Sequence, residues 1–263
     1  MGWSTGTVSD SNTSGSITSV SAHGRNTAGL VGRNEGTVTR SSSNATVKDR
    51  FGACGLVGDN YGTVRFSSAT GPASISDQLK GENPYGAGLV CGNFGTINQS
   101  FATGAVQGGF GREGEIHTFY APTCGLGSYN QGGLIEDSYA FGAVNADGQP
   151  GLEYTGGLAG RATGGTIATS YSTGLIASPD TFGGLIGWGE SNNAQSDTYW
   201  DLDTSGVSDP SKGQGNVANE PGIKGLTDAK LKSGLPAGFD PAIWGQSASI
   251  NNGYPYLLAN PPP

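Results

Sequence analysis

Short runs of aliphatic residues recur along residues 29–187, and each opens with Gly-Leu and continues into polar residues and glycine. The runs begin at Gly29, Gly55, Gly88, Gly125, Gly157 and Gly184, so successive starts lie 26, 33, 37, 32 and 27 residues apart. The full unit reads G-L-V/I-G-x-N-x-G-T-I/V-x-x-S-Y/F-x-x-G-x-V/I. Self-similarity at such a period predicts a repeat architecture.

Each unit contains three short runs of β-forming residues, which lie around Val31, Val38 and Val47 in the first full copy. Glycine and asparagine separate the runs, and both accept the positive φ angles of tight turns. The pattern predicts an all-β fold, a β-solenoid of about seven coils with three short strands per coil. In such a fold each strand pairs with its counterpart one coil away, so no coil buries its apolar face alone.

The positions that the units share are expected to be structural. The repeated Asn should stack in register as a ladder of side-chain amides that bonds turn backbone, with a ligand-binding row of amides as the alternative. The pairs Ser100-Phe101, Ser138-Tyr139 and Ser170-Tyr171 predict packing stacks, or else an outward aromatic column for flat sugar rings. The structural set is Gly29, Leu30, Asn34, Gly55, Leu56, Asn60, Gly88, Leu89, Asn93, Gly125, Leu126, Asn130, Gly157, Leu158, Gly184 and Leu185.

The repeat fades near residue 206, which predicts a solenoid over 1–206 and an irregular C-terminal capping segment with a short helix over 207–263. The cap is expected to fold against the last coils, because a bare coil end exposes core and unpaired strands. Thr227 to Lys232, followed by Gly234, predicts a helix of one or two turns. Since the chain begins within a unit, we interpret Met1 as an initiator added to a fragment or mature domain, with a natural start as the alternative.

Composition narrows the class of partner. Glycine makes up 48 of the 263 residues, and so much glycine disfavours helix. Charged residues make up 13%, which is low for a globular protein. The net charge of −8 argues against nucleic acid, because phosphate binding needs clustered Lys and Arg. No apolar run approaches the 18 or more residues of a membrane span, so we expect no membrane insertion. No signal-peptide apolar region is present at the start, so an export signal is expected outside this chain.

The unit resembles the GLUG repeat, named for its Gly-Leu-aliphatic-Gly signature, of large bacterial surface and secreted proteins. The clearest copies are GLVGRNEGTV at 29–38, GLVGDNYGTV at 55–64 and GLVCGNFGTI at 88–97. By pattern the chain is similar to filamentous haemagglutinin-type exoproteins of two-partner secretion; GLUG repeats also occur beside the catalytic part of IgA-cleaving metallopeptidases. TYWDLDTSG at 198–206, GLTDAKLKSGLPAGFDPAIWG at 225–245 and INNGYPYLL at 250–258 resemble the segment that closes the GLUG region in the haemagglutinin-like proteins. The resemblance implies a secreted or cell-surface protein of a Gram-negative bacterium.

The longest insertion between units, from Gln107 to Cys124, is the candidate ligand-binding site. Aromatic and charged groups are dense there, which favours a carbohydrate or protein contact; the alternative is that the aromatic rings pack onto the solenoid flank. The GxGxxG match at 109–114 lacks the following helix of a dinucleotide site, so no nucleotide cofactor is expected. The candidate residues are Phe110, Arg112, Glu113, Glu115, His117, Phe119 and Tyr120.

A second candidate is a calcium loop formed by Asp201, Asp203, Ser205 and Asp209. Calcium prefers six to eight oxygen ligands, and the glutamate of an EF-hand is replaced by Lys212. A turn in which Asp and Ser side chains bond nearby backbone explains the same residues. Apart from this calcium hypothesis, no cofactor is expected.

The three cysteines are expected to be small buried fillers. Cys54 and Cys124 precede a Gly-Leu, Cys91 is the fourth residue of its unit, and all three have the parity of the inward leucines. A disulfide is the alternative, but Cys54 and Cys124 should lie two coils apart, too far to bridge.

No catalytic residue is assigned. His23 and His117 are the two histidines, and the sequence has neither an HExxH motif nor a His-rich ligand set. A glycan-processing β-helix would need grouped acids, for which the candidates at one corner are Glu113, Glu115, Glu136 and Asp137.

The sequence therefore predicts a noncatalytic, structural or adhesive segment that presents loops to a host or microbial glycan or protein. One alternative is a subunit that associates end to end into an extracellular fibre. The other is a glycan-processing enzyme.

Overall fold

A computed structural model describes residues 1–19, 26–76, 84–109, 112–113, 118–119, 121–146, 153–178 and 181–263. Within these ranges the chain winds into a parallel β-solenoid, as predicted. Each wall is a parallel sheet in which a strand pairs with its counterparts in the coils before and after it. We name the five walls sheets I to V, in the order in which a coil visits them.

The strands of each sheet follow in chain order. Sheet I contains Thr27–Ala28, Gly52–Cys54, Tyr85–Ala87, Ala121–Cys124, Glu153–Gly156 and Thr181–Gly183. Sheet II contains Trp3–Ser4, Val31–Asn34, Val57–Asn60, Val90–Asn93, Gly127–Gln131, Ala159–Thr163 and Ile186–Gly189. Sheet III contains Thr7–Ser9, Thr37–Thr39, Thr63–Arg65, Thr96–Asn98, Leu134–Glu136, Gly165–Ala168 and Asn193–Ser196. Sheet IV contains Asn12–Thr13, Ser42–Ser43, Ser68–Ala69, Phe101–Ala102, Tyr139–Ala140, Tyr171–Ser172, Thr198–Asp201 and Ile223–Leu226. Sheet V contains Ser16–Thr18, Thr46–Asp49, Ala73–Ile75, Val106–Gln107, Val144–Asn145 and Ile176–Ala177.

The prediction of about seven coils is confirmed, but that of three strands per coil is wrong. In the part of the chain that the structure describes, each complete coil has five strands; the first coil has none in sheet I and the seventh none in sheet V. The strands that sequence reasoning missed lie in sheets I and IV. In the first full unit they are the two-residue strands Thr27–Ala28 and Ser42–Ser43, which are too short to show a run of β-forming residues. Pairing with neighbouring coils forms them, rather than intrinsic propensity.

The core is a set of apolar columns that run along the solenoid axis. In sheet III, Val38, Val64 and Ile97 are paired in register and fully buried. In the Gly-Leu pairs that open the second to sixth units the leucine is likewise fully buried, as at Leu56 and Leu89. Each coil thus shields the apolar atoms of its neighbours, as a stacked repeat requires.

Gly-Leu forms the corner between sheets I and II. A Cβ atom at Gly55 would lie 1.8 Å from the carbonyl oxygen of Gly88, and one at Gly88 would lie 2.0 Å from that of Gly125. These distances are too short for any side chain, so the neighbouring coil leaves no room for a Cβ atom at this corner. The requirement for glycine explains the first letter of the repeat.

The predicted asparagine ladder is present. Asn34 Nδ2 donates to Asn60 Oδ1 at 2.8 Å, Asn60 to Asn93 at 2.9 Å, and Asn93 to Asn130 at 2.8 Å. The same amides also donate to carbonyls of the turn, such as that of Thr63. All four are buried, so this ladder satisfies backbone groups inside the coil rather than facing a ligand.

A serine ladder runs along the corner between sheets III and IV. The Ser100 hydroxyl accepts the N–H of Ser67 and donates to the carbonyl of Asn98, two residues earlier. The residue before each serine has a left-handed backbone although it is not glycine, with φ 50° at Phe66 and 44° at Gln99. Such a conformation is unfavourable for these residue types, and the repeated hydrogen bonds hold it in place.

The expectation of three unpaired cysteines is wrong for two of them. Cys54 forms a disulfide with Cys91, with the Cα atoms 5.4 Å apart, while Cys124 is free and buried. Cys54 lies in sheet I and Cys91 in sheet II of the next coil, so the two side chains meet inside a corner. Cys124 occupies the same position in its sheet I strand as Cys54 does. In the next coil, however, the residue that corresponds to Cys91 is Gly160. Burial raises the pKa of the Cys124 thiol to about 12.

Residues 205–226 close the C-terminal end of the solenoid. The carbonyl of Gly213 accepts the N–H groups of Leu185 and Ile186, and Ile223–Leu226 adds the last strand of sheet IV. A helix follows at Asp228–Leu231 with Thr227 as its N-cap, which confirms that prediction. The remaining elements are a 3-10 turn at Asn251–Gly253 and an antiparallel pair of Trp244–Gly245 with Tyr256–Leu257. None of the residues described forms a helix long and apolar enough to cross a membrane.

Residues 235–260 form a strap along the flank of sheet IV, whereas the tail was predicted only to cover the last coils. The strap lies over the aromatic column formed by Phe101, Tyr139, Tyr171 and Tyr199. The rings of Phe101 and Tyr139 stack at 4.9 Å, and those of Tyr139 and Tyr171 at 5.4 Å. Strap residues Phe239, Trp244, Tyr254 and Leu257 complete this second apolar cluster. The predicted packing stack is therefore present, and the tail covers it from solvent.

Two equivalent tyrosines of this column are expected to respond oppositely to loss of the hydroxyl. The Tyr139 hydroxyl is buried without a hydrogen-bond partner among the described residues, whereas that of Tyr171 donates to the Pro255 carbonyl of the strap. We expect Tyr139→Phe to leave the free energy of unfolding unchanged or raise it by up to about 1 kcal/mol, and Tyr171→Phe to lower it by about 1–2 kcal/mol. Urea unfolding of the two variants measures the difference. Equal losses would contradict the assignment of the strap contact.

Candidate binding edge

Length variation between coils is confined to one corner, which we call the variable corner. It comprises the connections from sheet V to the next sheet I strand: 19–26, 50–51, 76–84, 108–120, 146–152 and 178–180. At the other four corners the strands are joined by one to three residues in every described coil. The solenoid thus carries all of its long insertions along one edge.

Aromatic rings lie beside the variable corner. The ring of Tyr85 in sheet I makes edge contacts with Phe51 at 5.1 Å and with Tyr129 in sheet II at 5.5 Å. Burial raises the pKa of both the Tyr85 and the Tyr129 phenol, so both stay neutral hydrogen-bonding groups near pH 7. These side chains thus pack together where sheets I and II meet, next to the variable corner.

A buried carboxylate shapes the shortest connection at this corner. Asp49 Oδ1 accepts the N–H groups of Phe51 at 2.6 Å and Gly52 at 3.2 Å, and its Oδ2 accepts the hydroxyl of Thr27. Two residues therefore suffice to join sheet V to sheet I. The longer connections are additions that the fold does not require.

The predicted binding loop lies at this corner. Within it, Arg112–Glu113 pairs antiparallel with Thr118–Phe119, which gives the longest insertion a short hairpin. The predicted site residues Phe110, Glu115, His117 and Tyr120 lie outside the described residues, as do the side chains of Arg112, Glu113 and Phe119. Gly111 and Gly114 of the glycine motif at 109–114 also lie outside the described residues.

The four acids considered for catalysis lie in chain segments at two different corners. Glu136 and Asp137 lie at the corner between sheets III and IV, whereas the segment with Glu113 and Glu115 joins sheet V to sheet I. Glu136 accepts from Asn98 Nδ2 at 3.0 Å, and Asp137 is buried and accepts from Trp244 Nε1 at 3.1 Å. The connection that carries Glu113 and Glu115 thus starts at a different corner. Their convergence with Glu136 and Asp137 stays a prediction, because the side chains of Glu113 and Glu115 lie outside the described residues.

The calcium candidates serve as turn and strap contacts. Asp201 Oδ1 accepts the N–H groups of Asp203 and Thr204, and its Oδ2 accepts the Tyr254 hydroxyl at 2.8 Å. The hydroxyl of Ser205 accepts the N–H of Val207. These are the contacts expected of a turn held by Asp and Ser side chains, which was the alternative to a calcium loop. The described part of the chain contains no group of three or more His, Cys, Asp or Glu side chains arranged to hold a metal ion.

Asp209 forms a separate turn. Its Oδ1 accepts both the N–H of Ser211, at 2.9 Å, and the Ser211 hydroxyl, at 2.8 Å. The hydrogen bond from the Ser211 backbone is the main reason that the pKa of Asp209 lies below its ordinary value. The turn interpretation therefore describes Asp201, Ser205 and Asp209, whereas Asp203 Oδ2 accepts the N–H of Asp228 at the start of the helix.

No protein-family model and no curated protein matches this sequence.

Proposed function

We propose that this chain is a noncatalytic, adhesive segment of a bacterial cell-surface or secreted protein. A regular solenoid holds the insertions of the variable corner in a row, where they bind a glycan or protein of a host or microbial surface. The observation that supports this best is the confinement of the long insertions to one corner, while the other corners keep connections of one to three residues. Binding residues commonly lie on loops that a rigid scaffold positions.

Two further features support the proposal. The Cys54–Cys91 disulfide is typical of proteins that mature in an oxidising compartment, which agrees with secretion or surface display. The Gly-Leu-aliphatic-Gly units and the C-terminal motifs resemble the GLUG region of filamentous haemagglutinin-type proteins.

The closed C-terminal end favours this proposal over coil-to-coil fibre growth. Lys212 and Gly213 already accept hydrogen bonds from Gly184, Leu185 and Ile186, and Ile223–Leu226 occupies the edge of sheet IV. Another copy could stack there only after displacing residues 205–226.

The test shortens the connection 108–120 by replacing residues 109–120 with the dipeptide Arg-Phe, which joins sheets V and I at 50–51. Gly108 is kept, because a Cβ atom there would lie 2.1 Å from Thr123 Oγ1. The fold should survive, with a thermal midpoint within about 4 °C of the parent, because a flexible connection of that length adds little stability. At least one member of a panel of immobilised bacterial and host glycans and surface proteins should be retained by the parent and no longer retained by this variant.

The matched control makes the same replacement at residues 76–84, one coil earlier at the same corner. This variant should keep the retention of the parent. Unchanged retention in the 108–120 variant would contradict the proposed binding site, and equal loss in both folded variants would contradict its assignment to the longest insertion.

A further inference from the structure

A cleft of about 630 Å³ lies near the C-terminal end of the solenoid, away from the variable corner. One side is the turn 188–193, which joins sheets II and III in the seventh coil, and the other is the segment 214–220 of the closing region. Its volume is within the range of clefts that hold small ligands. The proposed function does not use this cleft.

One wall is an aromatic ring with a fixed neighbour. Trp188 is half-buried, and its ring centroid lies 4.9 Å from that of Tyr154, at an interplanar angle of 33°. Arg161 lies 5.9 Å from the Tyr154 ring, and its Nη2 is 2.9 Å from Glu190 Oε1. The position of the Trp188 ring and that of the Glu190 carboxylate are therefore both set by contacts outside the cleft.

The opposite wall is built from amides and a second carboxylate. Asn216 Nδ2 donates to the Gly189 carbonyl and its Oδ1 accepts the Gly189 N–H, each at 2.9 Å, while Gln214 is buried beside them. Glu220 completes this wall and is half-buried. The cleft thus presents hydrogen-bonding groups in fixed positions opposite an aromatic ring.

A buried acceptor in the cleft lining has no partner among the described residues. Asn193 Nδ2 donates to the carbonyls of Ala162 and Glu190, but its Oδ1 is buried and unpartnered. A buried polar atom without a hydrogen bond is unfavourable by about 1–3 kcal/mol. Because this oxygen has almost no accessible surface, a donor from a ligand reaches it only if the Asn193 amide turns toward the cleft.

We propose that this cleft binds a pyranose sugar unit, with an amino sugar preferred and an acidic sugar excluded. An aromatic face packs against the apolar face of a sugar ring, and amide and carboxylate groups bond its hydroxyls. Glu190 and Glu220 line the cleft, and the lining residues include no Lys or Arg. Arg161 balances the charge of Glu190, so the Glu220 carboxylate is the group that favours a cationic ligand over an anionic one.

The test follows tryptophan fluorescence while methyl glycosides of glucosamine, N-acetylglucosamine and glucuronic acid are added to the whole chain. The glucosamine and N-acetylglucosamine glycosides should change the emission saturably, the glucuronide should not, and Trp188→Phe should abolish the change. The matched control is Trp3→Phe, because Trp3 is exposed at the other end of the same sheet and lines none of the described clefts. This variant should respond as the parent does.

A second variant, Glu220→Gln, keeps the shape of the cleft and removes one charge. It should weaken binding of the glucosamine glycoside roughly tenfold, with a smaller effect on the N-acetyl sugar. A response that persists in Trp188→Phe, a preference for the glucuronide, or no response to any sugar would overturn the proposal. The variant shortened at 108–120 should keep the fluorescence response to the amino sugars. The proposed sugar site in the cleft and the proposed binding site at the variable corner are therefore tested independently.

Discussion

Gly88→Ala is expected to lower the free energy of unfolding by about 4 kcal/mol or more. The added Cβ would lie 2.0 Å from the Gly125 carbonyl oxygen and 2.9 Å from the Ala102 side chain. Neither contact can relax easily, because both partners belong to coils whose strands are paired on two sides. Urea unfolding followed by circular dichroism measures the loss, and a variant that fails to fold at 25 °C would agree with it.

The control is Gly6→Ala, at the corner between sheets II and III of the first coil. A Cβ atom there would meet nothing within 4 Å, so a change within about 0.5 kcal/mol is expected. Similar stability of the two variants would contradict the finding that the Gly-Leu corner leaves no room for a Cβ atom.

The double variant Cys54→Ala/Cys91→Ala is expected to lose about 4 kcal/mol of unfolding free energy. The disulfide closes a loop between residues 37 apart in sequence, and the chain-entropy model assigns that value to a loop of this length. Thermal unfolding of the variant and the oxidised parent measures the loss.

Cys124→Ala is the matched control, because Cys124 is buried in the same cluster but forms no disulfide. Its loss should be about 1 kcal/mol. Thiol titration of the denatured, unreduced parent should find one thiol, and titration after reduction should find three. Three thiols before reduction, in protein prepared under oxidising conditions, would contradict the pairing.

The sequence predicted the solenoid because its determinants are local and repeated. Gly-Leu marks a corner where only glycine fits, and the alternating Val and Ile positions mark the inward columns. The asparagine ladder was predictable for the same reason, since Asn34, Asn60 and Asn93 share one position in consecutive units.

Other features depend on contacts between stacked coils and are hard to recognise in the sequence of a single unit. The strand Ser42–Ser43 has no β-forming signature, and residues such as Phe66 do not favour the left-handed backbone that the serine ladder holds. The disulfide joins neighbouring sheets of successive coils, so comparing Cys54 with Cys124 on one sheet missed Cys91. Aligning each residue before Gly-Leu with the fourth residue of the next unit would have found the pair.

The candidate sites were less predictable than the fold. The longest insertion was visible in the sequence as a gap in the repeat. The sequence did not show that the insertions share one corner, because this depends on the path of the chain through five sheets. The cleft beside Trp188 combines the last coil with residues 214–220, which belong to no unit. Only the path of the closing segment brings those groups together.

The most direct test of the proposed noncatalytic, adhesive role is to incubate the whole chain with a mixed panel of bacterial and host glycans and surface proteins, following retention and product masses by mass spectrometry. The proposal predicts retention of a glycan or a surface protein with no new product masses. New fragment masses, or the absence of any retained glycan together with no retained surface protein, would contradict it.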